Sequence, residues 1–151
     1  MVEKKLEEMG IQLPEVVKPV AAYVPVVRAG DFVYTAGQIP VVDGQVKYTG
    51  QIGKRTVEEG YEAAKICAIN CLSAVKSAIG SLDNIERIVK LTGFVNTEPG
   101  LGNQPMVING ASEFLLEVFG EKGAHARSAV GVSGLPLDSL VEIEMIVKVK
   151  G

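Results

Sequence analysis

Two side chains near the C-terminal end could grip a small anion and move a proton. His125 and Arg127 are two positions apart, so in an extended strand both project to the same side. A guanidinium is a planar fork of donors that matches a carboxylate through two parallel hydrogen bonds. His125 is the single histidine of the chain, and an imidazole titrates near neutrality, where it could act as acid or base. Each has a plainer role beside the chemical one: Arg127 as half of a structural ion pair with Glu142, and His125 as a polar residue at a rim. The chain has two cysteines, Cys67 and Cys71. Their spacing inside a helical pattern puts both on one face, where free thiols pack as small apolar groups. A single histidine falls short of the three or four ligands of a zinc site, so no metal is expected.

Composition narrows the class of protein. The chain has 151 residues, 47% of them hydrophobic and 22% charged, which suits one domain with a proper core, taken here as residues 1–151 with 1–20 as an N-terminal extension. Its 18 acidic residues outnumber 15 basic ones, leaving a net charge of −3. With no basic block, a nucleic-acid partner is not expected, because phosphate neutralisation needs clustered positive charge. The stretch from Met1 to Gly10 is charged and lacks the apolar core of a secretion signal. No apolar run approaches the roughly 20 residues of a membrane span, so no membrane partner is expected and the cytoplasm is the expected compartment.

The elements that must carry these groups follow from periodicity. Glu3 to Met9 reads as a short helix with Leu6 and Met9 as its apolar face. Leu13-Pro14 and Lys18-Pro19 mark an extended entry. Tyr23 to Arg28 and Phe32 to Ala36 read as a hairpin turning at Ala29-Gly30-Asp31, and Asp43-Gly44 as a tight turn before a strand at Gln45 to Tyr48. From Thr56 to Ile79 apolar residues recur every three or four positions, with Thr56 as N-cap and Gly80 as the stop. Ile85 to Val95 is β-rich, with Gly93 marking a bulge or a close approach. A loop over Pro99 to Pro105 precedes a second helix from Val107 to Phe119.

Two strands follow, His125 to Val132 and Leu140 to Val149. In the last, Val141, Ile143, Met145, Val147 and Val149 share one face and must meet the helices. The order β-β-β-α-β-α-β-β gives an α+β fold, a mixed β-sheet with two helices packed on one face. The other sheet face, expected to carry Gly131 and Ile146, is left uncovered, which predicts a homo-oligomer.

Ala126-Arg127-Ser128, then Leu135-Pro136 and Val141-Glu142-Ile143-Glu144, resemble the C-terminal signature of the reactive intermediate deaminase (Rid), or YjgF-like, superfamily, in a longer divergent subgroup. Thr35-Ala36-Gly37-Gln38-Ile39-Pro40 is similar to the N-terminal signature of that family, so the resemblance spans about Tyr23 to Val149. It implies a chorismate-mutase-like (YjgF-like) fold, a homotrimer with ligand clefts between subunits, and no cofactor. It assigns Arg127 to the substrate carboxylate and Glu142 to the positioning or activation of water. Tyr23, Ala36, Gly37, Asn109, His125 and Ala129 complete the implied substrate site, with Gly37 allowing close backbone approach. Many deaminating members carry serine where this chain has Ala36, and often proline where it has His125. The segment from Asn96 to Asn109 is longer and differently built.

The resemblance implies hydrolysis of small reactive 2-imino acids, or their enamine tautomers, to 2-oxo acids and ammonia. Two alternatives stand beside it. One is a non-catalytic or regulatory module that binds a small carboxylate, suggested by the hydroxyl missing at Ala36. The other is endoribonuclease activity, which the acidic charge disfavours.

Overall fold

A computed structural model describes residues 1–16 and 22–151 of the chain. The Lys18-Pro19 part of the expected extended entry lies outside the described residues. The first helix, α1 (Val2–Glu8), buries Leu6 against the core. It is tied down by reciprocal capping. Asp83 Oδ1 accepts the Val2 N–H at 2.7 Å, while Glu3 Oε2 accepts the Leu82 N–H at 2.8 Å, where a 3-10 turn over Leu82–Asn84 begins.

The hairpin of β1 (Val26–Ala29) and β2 (Phe32–Thr35) turns on Gly30, whose φ of 62° is left-handed. The expected start at Tyr23 is too early. Pro25 has no N–H for the ladder, and only its carbonyl takes part, accepting from Ala36 at 2.8 Å. Next comes a detached ribbon, β3 (Val41–Val42) and β4 (Gln45–Val46), where one strand was expected. Asp43 and Gly44, with φ of 51° and 79°, make the two-residue turn that a tight hairpin needs.

Helix α2 (Val57–Ile79) starts with a capping box: Thr56 Oγ1 accepts the Glu59 N–H, and the Glu59 carboxylate accepts the Thr56 N–H. It ends at Gly80, with φ of 84°. The central strand β5 (Ile85–Asn96) pairs with both later strands. Helix α3 (Gln104–Phe119) starts three residues before the expected Val107, because Pro105 sits in its first turn, where a missing N–H costs nothing. Strands β6 (Ala126–Val132) and β7 (Val141–Val149) finish the main sheet, in the order β1-β2-β7-β5-β6, with β5 and β6 parallel.

The odd-numbered residues of β7, Val141 to Val149, are all buried beneath the helices, as alternation predicts. Gly93 marks a close approach: a Cβ there would overlap the Ile108 side chain of α3. The register shifts of β5 fall elsewhere, between Ile85 and Arg87 and between Ile88 and Lys90. Gly131 does not lie on the open sheet face as expected. It pairs with buried Val95, and its missing Cβ points at Gln104 and Thr97, on the α3 side. Ile146 does lie on the open face, paired with Tyr34 and Lys90, and Phe32, Tyr34, Phe94 and Val130 share it by register.

Candidate functional site

β6 is an edge strand lying beside α3, and its alternation sends Arg127, Ala129 and Gly131 toward that helix. Small residues allow α3 to lie close. A Cβ at Gly110 would overlap the backbone carbonyl of Tyr61 on α2, and one at Gly60 would press on Val107. On α3, Asn109 and Ser112 are three residues apart and share a face, and both reach Arg127. Nη1 donates to Asn109 Oδ1 at 2.9 Å and to Ser112 Oγ at 3.0 Å. Nη2 donates to the Pro105 carbonyl at 3.3 Å. A guanidinium has five N–H donors, so Nε–H and one Nη2–H have no partner among the described residues, which leaves two donors for one carboxylate.

His125 precedes the strand by one residue and points to the same side as Arg127. Its Nδ1 lies 2.6 Å from the Gly123 carbonyl, and its Nε2 lies 2.9 Å from Ser112 Oγ. Burial first, then the charge of Arg127, pushes its pKa down, against the Gly123 bond that raises it. The lowered pKa and the Nδ1 contact to a carbonyl both favour the neutral ring, which is a partner of Ser112. Asn109, His125 and Arg127 come together on α3 and β6; Ala129 lies two residues on, partly buried against the core. A cavity of about 370 Å³ between α2 and α3, lined by Tyr61, Met106, Asn109 and Glu113 among others, reaches this cluster at Asn109.

A second cluster forms where β2 leaves β7. Thr35 Oγ1 accepts the Met145 N–H at 3.0 Å, and the chain returns at Gln38, which exchanges both backbone bonds with Ile143. Gly37 lies between, and a Cβ there would overlap the Glu142 carboxylate. Glycine at this position thus gives the carboxylate its place over the backbone. Glu142 is half-buried, and burial first, then the neighbouring Glu144, pushes its pKa up. Ala36 stands beside this contact with no hydroxyl to add. Tyr23, at a bend before β1, is 58% exposed.

The two clusters do not meet within one chain. Arg127 pairs in register with buried Leu91, on the helix face. Glu142 pairs with Phe94, on the open face, and β5 separates their strands. A structural ion pair of Arg127 with Glu142 is therefore excluded within one chain. Ser112 was not anticipated from sequence. Its signal was present: a polar residue three after Asn109 on an otherwise apolar helix face. Cys67 and Cys71 are fully buried; burial chiefly lifts Cys71 to about 12, which keeps its thiol protonated.

Among the described residues no three of His, Cys, Asp and Glu converge to hold a metal ion, and no helix is long and apolar enough to cross a membrane. The family described as "YjgF/chorismate_mutase-like, putative endoribonuclease" matches residues 3–149. Protein TCP17 of Trypanosoma cruzi is 43% identical over 149 residues, covering 97% of this chain and 93% of its own. The crystal structure of Atu1372 from Agrobacterium tumefaciens aligns with a TM-score of 0.92 at 42% identity, covering 99% of this chain and 93% of that one. That of E. coli TdcF with bound serine aligns with a TM-score of 0.64 at 27% identity, covering 89% and 92%.

Proposed function

The chain belongs to the YjgF/chorismate-mutase-like family, and from that premise we propose that it hydrolyses small 2-imino acids, or their enamine tautomers, to 2-oxo acids and ammonia, without a cofactor, at sites completed by a second copy of itself. The observation that carries this reading is the pair of open donors on Arg127, whose other three hydrogens are held by Asn109, Ser112 and Pro105. A guanidinium fixed on one side and open on the other is suited to a carboxylate. Serine bound to TdcF, a relative of the same fold, is a small carboxylate ligand of the right class.

Glu142 supplies the proton chemistry in this reading. Its raised pKa brings its titration nearer the working pH, as suits a group that must take and return a proton. Its carboxylate removes a proton from water as the water oxygen bonds to the imine carbon, giving a carbinolamine. It returns that proton to nitrogen and then carries the carbinolamine hydroxyl proton to the same nitrogen; the C–N bond breaks as the C=O bond forms, and ammonia leaves a 2-oxo acid. Because Arg127 and Glu142 face opposite sides of the sheet, the reading needs Arg127 of one copy opposite Gly37 and Glu142 of the next. A closed ring of three such contacts is the proposed assembly, formed through the open face with Phe32, Tyr34, Val130 and Ile146.

Freshly generated 2-iminopropanoate tests this directly. Arg127→Ala is expected to keep the oligomer and lose the acceleration of imine decay. A variant that retains the oligomer and clears the imine as fast as the native protein removes the reading. Ala36 favours one alternative, a module that binds the carboxylate without turning it over. Tight 2-oxo acid binding with no imine hydrolysis in the native protein would select that alternative.

A further inference from the structure

Ser112 has one hydrogen to give and two lone pairs to offer, and its neighbours fix how they are used. Arg127 Nη1 only donates, so Ser112 Oγ accepts from it at 3.0 Å. The Gly123 carbonyl only accepts, so His125 Nδ1, 2.6 Å away, carries the ring proton. Nε2 of the neutral ring is then an acceptor, and it takes the Ser112 hydroxyl hydrogen at 2.9 Å. Each polar atom from Gly123 through His125 and Ser112 to Arg127 has one role, and the roles run in one direction.

That direction matters to the guanidinium. With its hydrogen turned toward His125, Ser112 must present a lone pair to Nη1. Without the imidazole the hydroxyl is free to rotate, and the bond to Nη1 loses its fixed geometry. Ser112 is buried, 9% exposed within α3, so its pairing with His125 does not offer a nucleophile to a substrate. We propose that His125 is a positioning residue that acts through Ser112 to fix which edge of the Arg127 guanidinium faces the ligand. The inference rests on the reading of Arg127 as the carboxylate clamp. It gives His125 a place in binding and none in proton transfer to substrate.

The test is calorimetric titration of the full-length protein with pyruvate as the carboxylate probe, on the native chain, Arg127→Ala, Ser112→Ala, His125→Phe and the double variant Ser112→Ala/His125→Phe. His125→Phe and Ser112→Ala are each expected to weaken pyruvate binding about tenfold, the worth of one good hydrogen bond, and the double variant no further than Ser112→Ala alone. Losses that add in the double variant, or native affinity in both single variants while Arg127→Ala abolishes binding, overturn the proposal. Native affinity in Arg127→Ala overturns instead the clamp on which it rests. Imidazole nitrogen NMR on the native protein gives a readout independent of folding in the variants. A neutral ring protonated at Nδ1 is expected at pH 7, and one protonated at Nε2 contradicts the relay.

Discussion

The proposed chemistry rests on how few of Arg127's hydrogens are committed. Three of five N–H groups are taken by Asn109, Ser112 and Pro105 of α3, and a carboxylate taking the other two would gain about 1.5–3 kcal/mol per charge-assisted bond before binding costs. Arg127→Lys keeps the charge but not the planar fork, so pyruvate affinity measured by calorimetry should fall at least tenfold. In the proposed reaction Glu142 sets the pH dependence. Burial raises its folded pKa above the ordinary 4.5, so as the proposed base it is disabled at higher pH than an ordinary glutamate. The rate of imine hydrolysis should show an acid limb above pH 4.5 in the native protein, and Glu142→Gln should abolish that limb while lowering kcat by roughly 10²–10⁴. For stability the sign is opposite to that of a salt-bridged acid. The folded state holds this proton more tightly than the unfolded one, so the contribution of Glu142 is full below pH 4.5 and is lost as pH rises through the raised folded value. Denaturant titrations of native protein and Glu142→Gln across that window would expose the difference.

At the scale of elements, close contacts at Gly110 and Gly60 place α3 where Asn109 and Ser112 can reach Arg127. Gly110→Ala drives a Cβ into the Tyr61 carbonyl, a backbone atom that cannot rotate away, and should destabilise by about 3 kcal/mol or more, read as a lower unfolding midpoint. Gly37→Ala meets only the end of the Glu142 side chain, so it should displace the carboxylate and reduce turnover while costing far less stability. Thr56→Ala removes the capping box of α2 and should cost about 1 kcal/mol in chemical denaturation. Most elements were legible in the sequence because their signals are local: the cap and glycine stop of α2, the alternation of β7, the turns at Gly30 and Asp43-Gly44. The errors have physical causes. Pro25 shortened β1, Pro105 extended α3 by a turn that periodicity does not register, and Gly131 has no side chain to betray its face. The pairing of Asn109 and Ser112 with Arg127 was illegible for a different reason, since it depends on a helix and an edge strand meeting in space.

At the scale of the whole molecule, the described residues leave one sheet face open, with Phe32, Tyr34, Val130 and Ile146 among residues of both charges. If copies associate through it, Ile146→Lys should convert the oligomer seen by analytical ultracentrifugation to monomer, and activity should go with it even though neither cluster is touched. The opposition of Arg127 and Glu142 across the sheet makes a sharper demand, because each site must draw one group from each of two chains. The decisive measurement is imine hydrolysis by a refolded equal mixture of Arg127→Ala and Glu142→Gln chains, each inactive alone. Random assembly into closed rings restores about one quarter of the interfaces, so about one quarter of native activity should return. A mixture that assembles yet stays as inactive as its components would contradict the shared site.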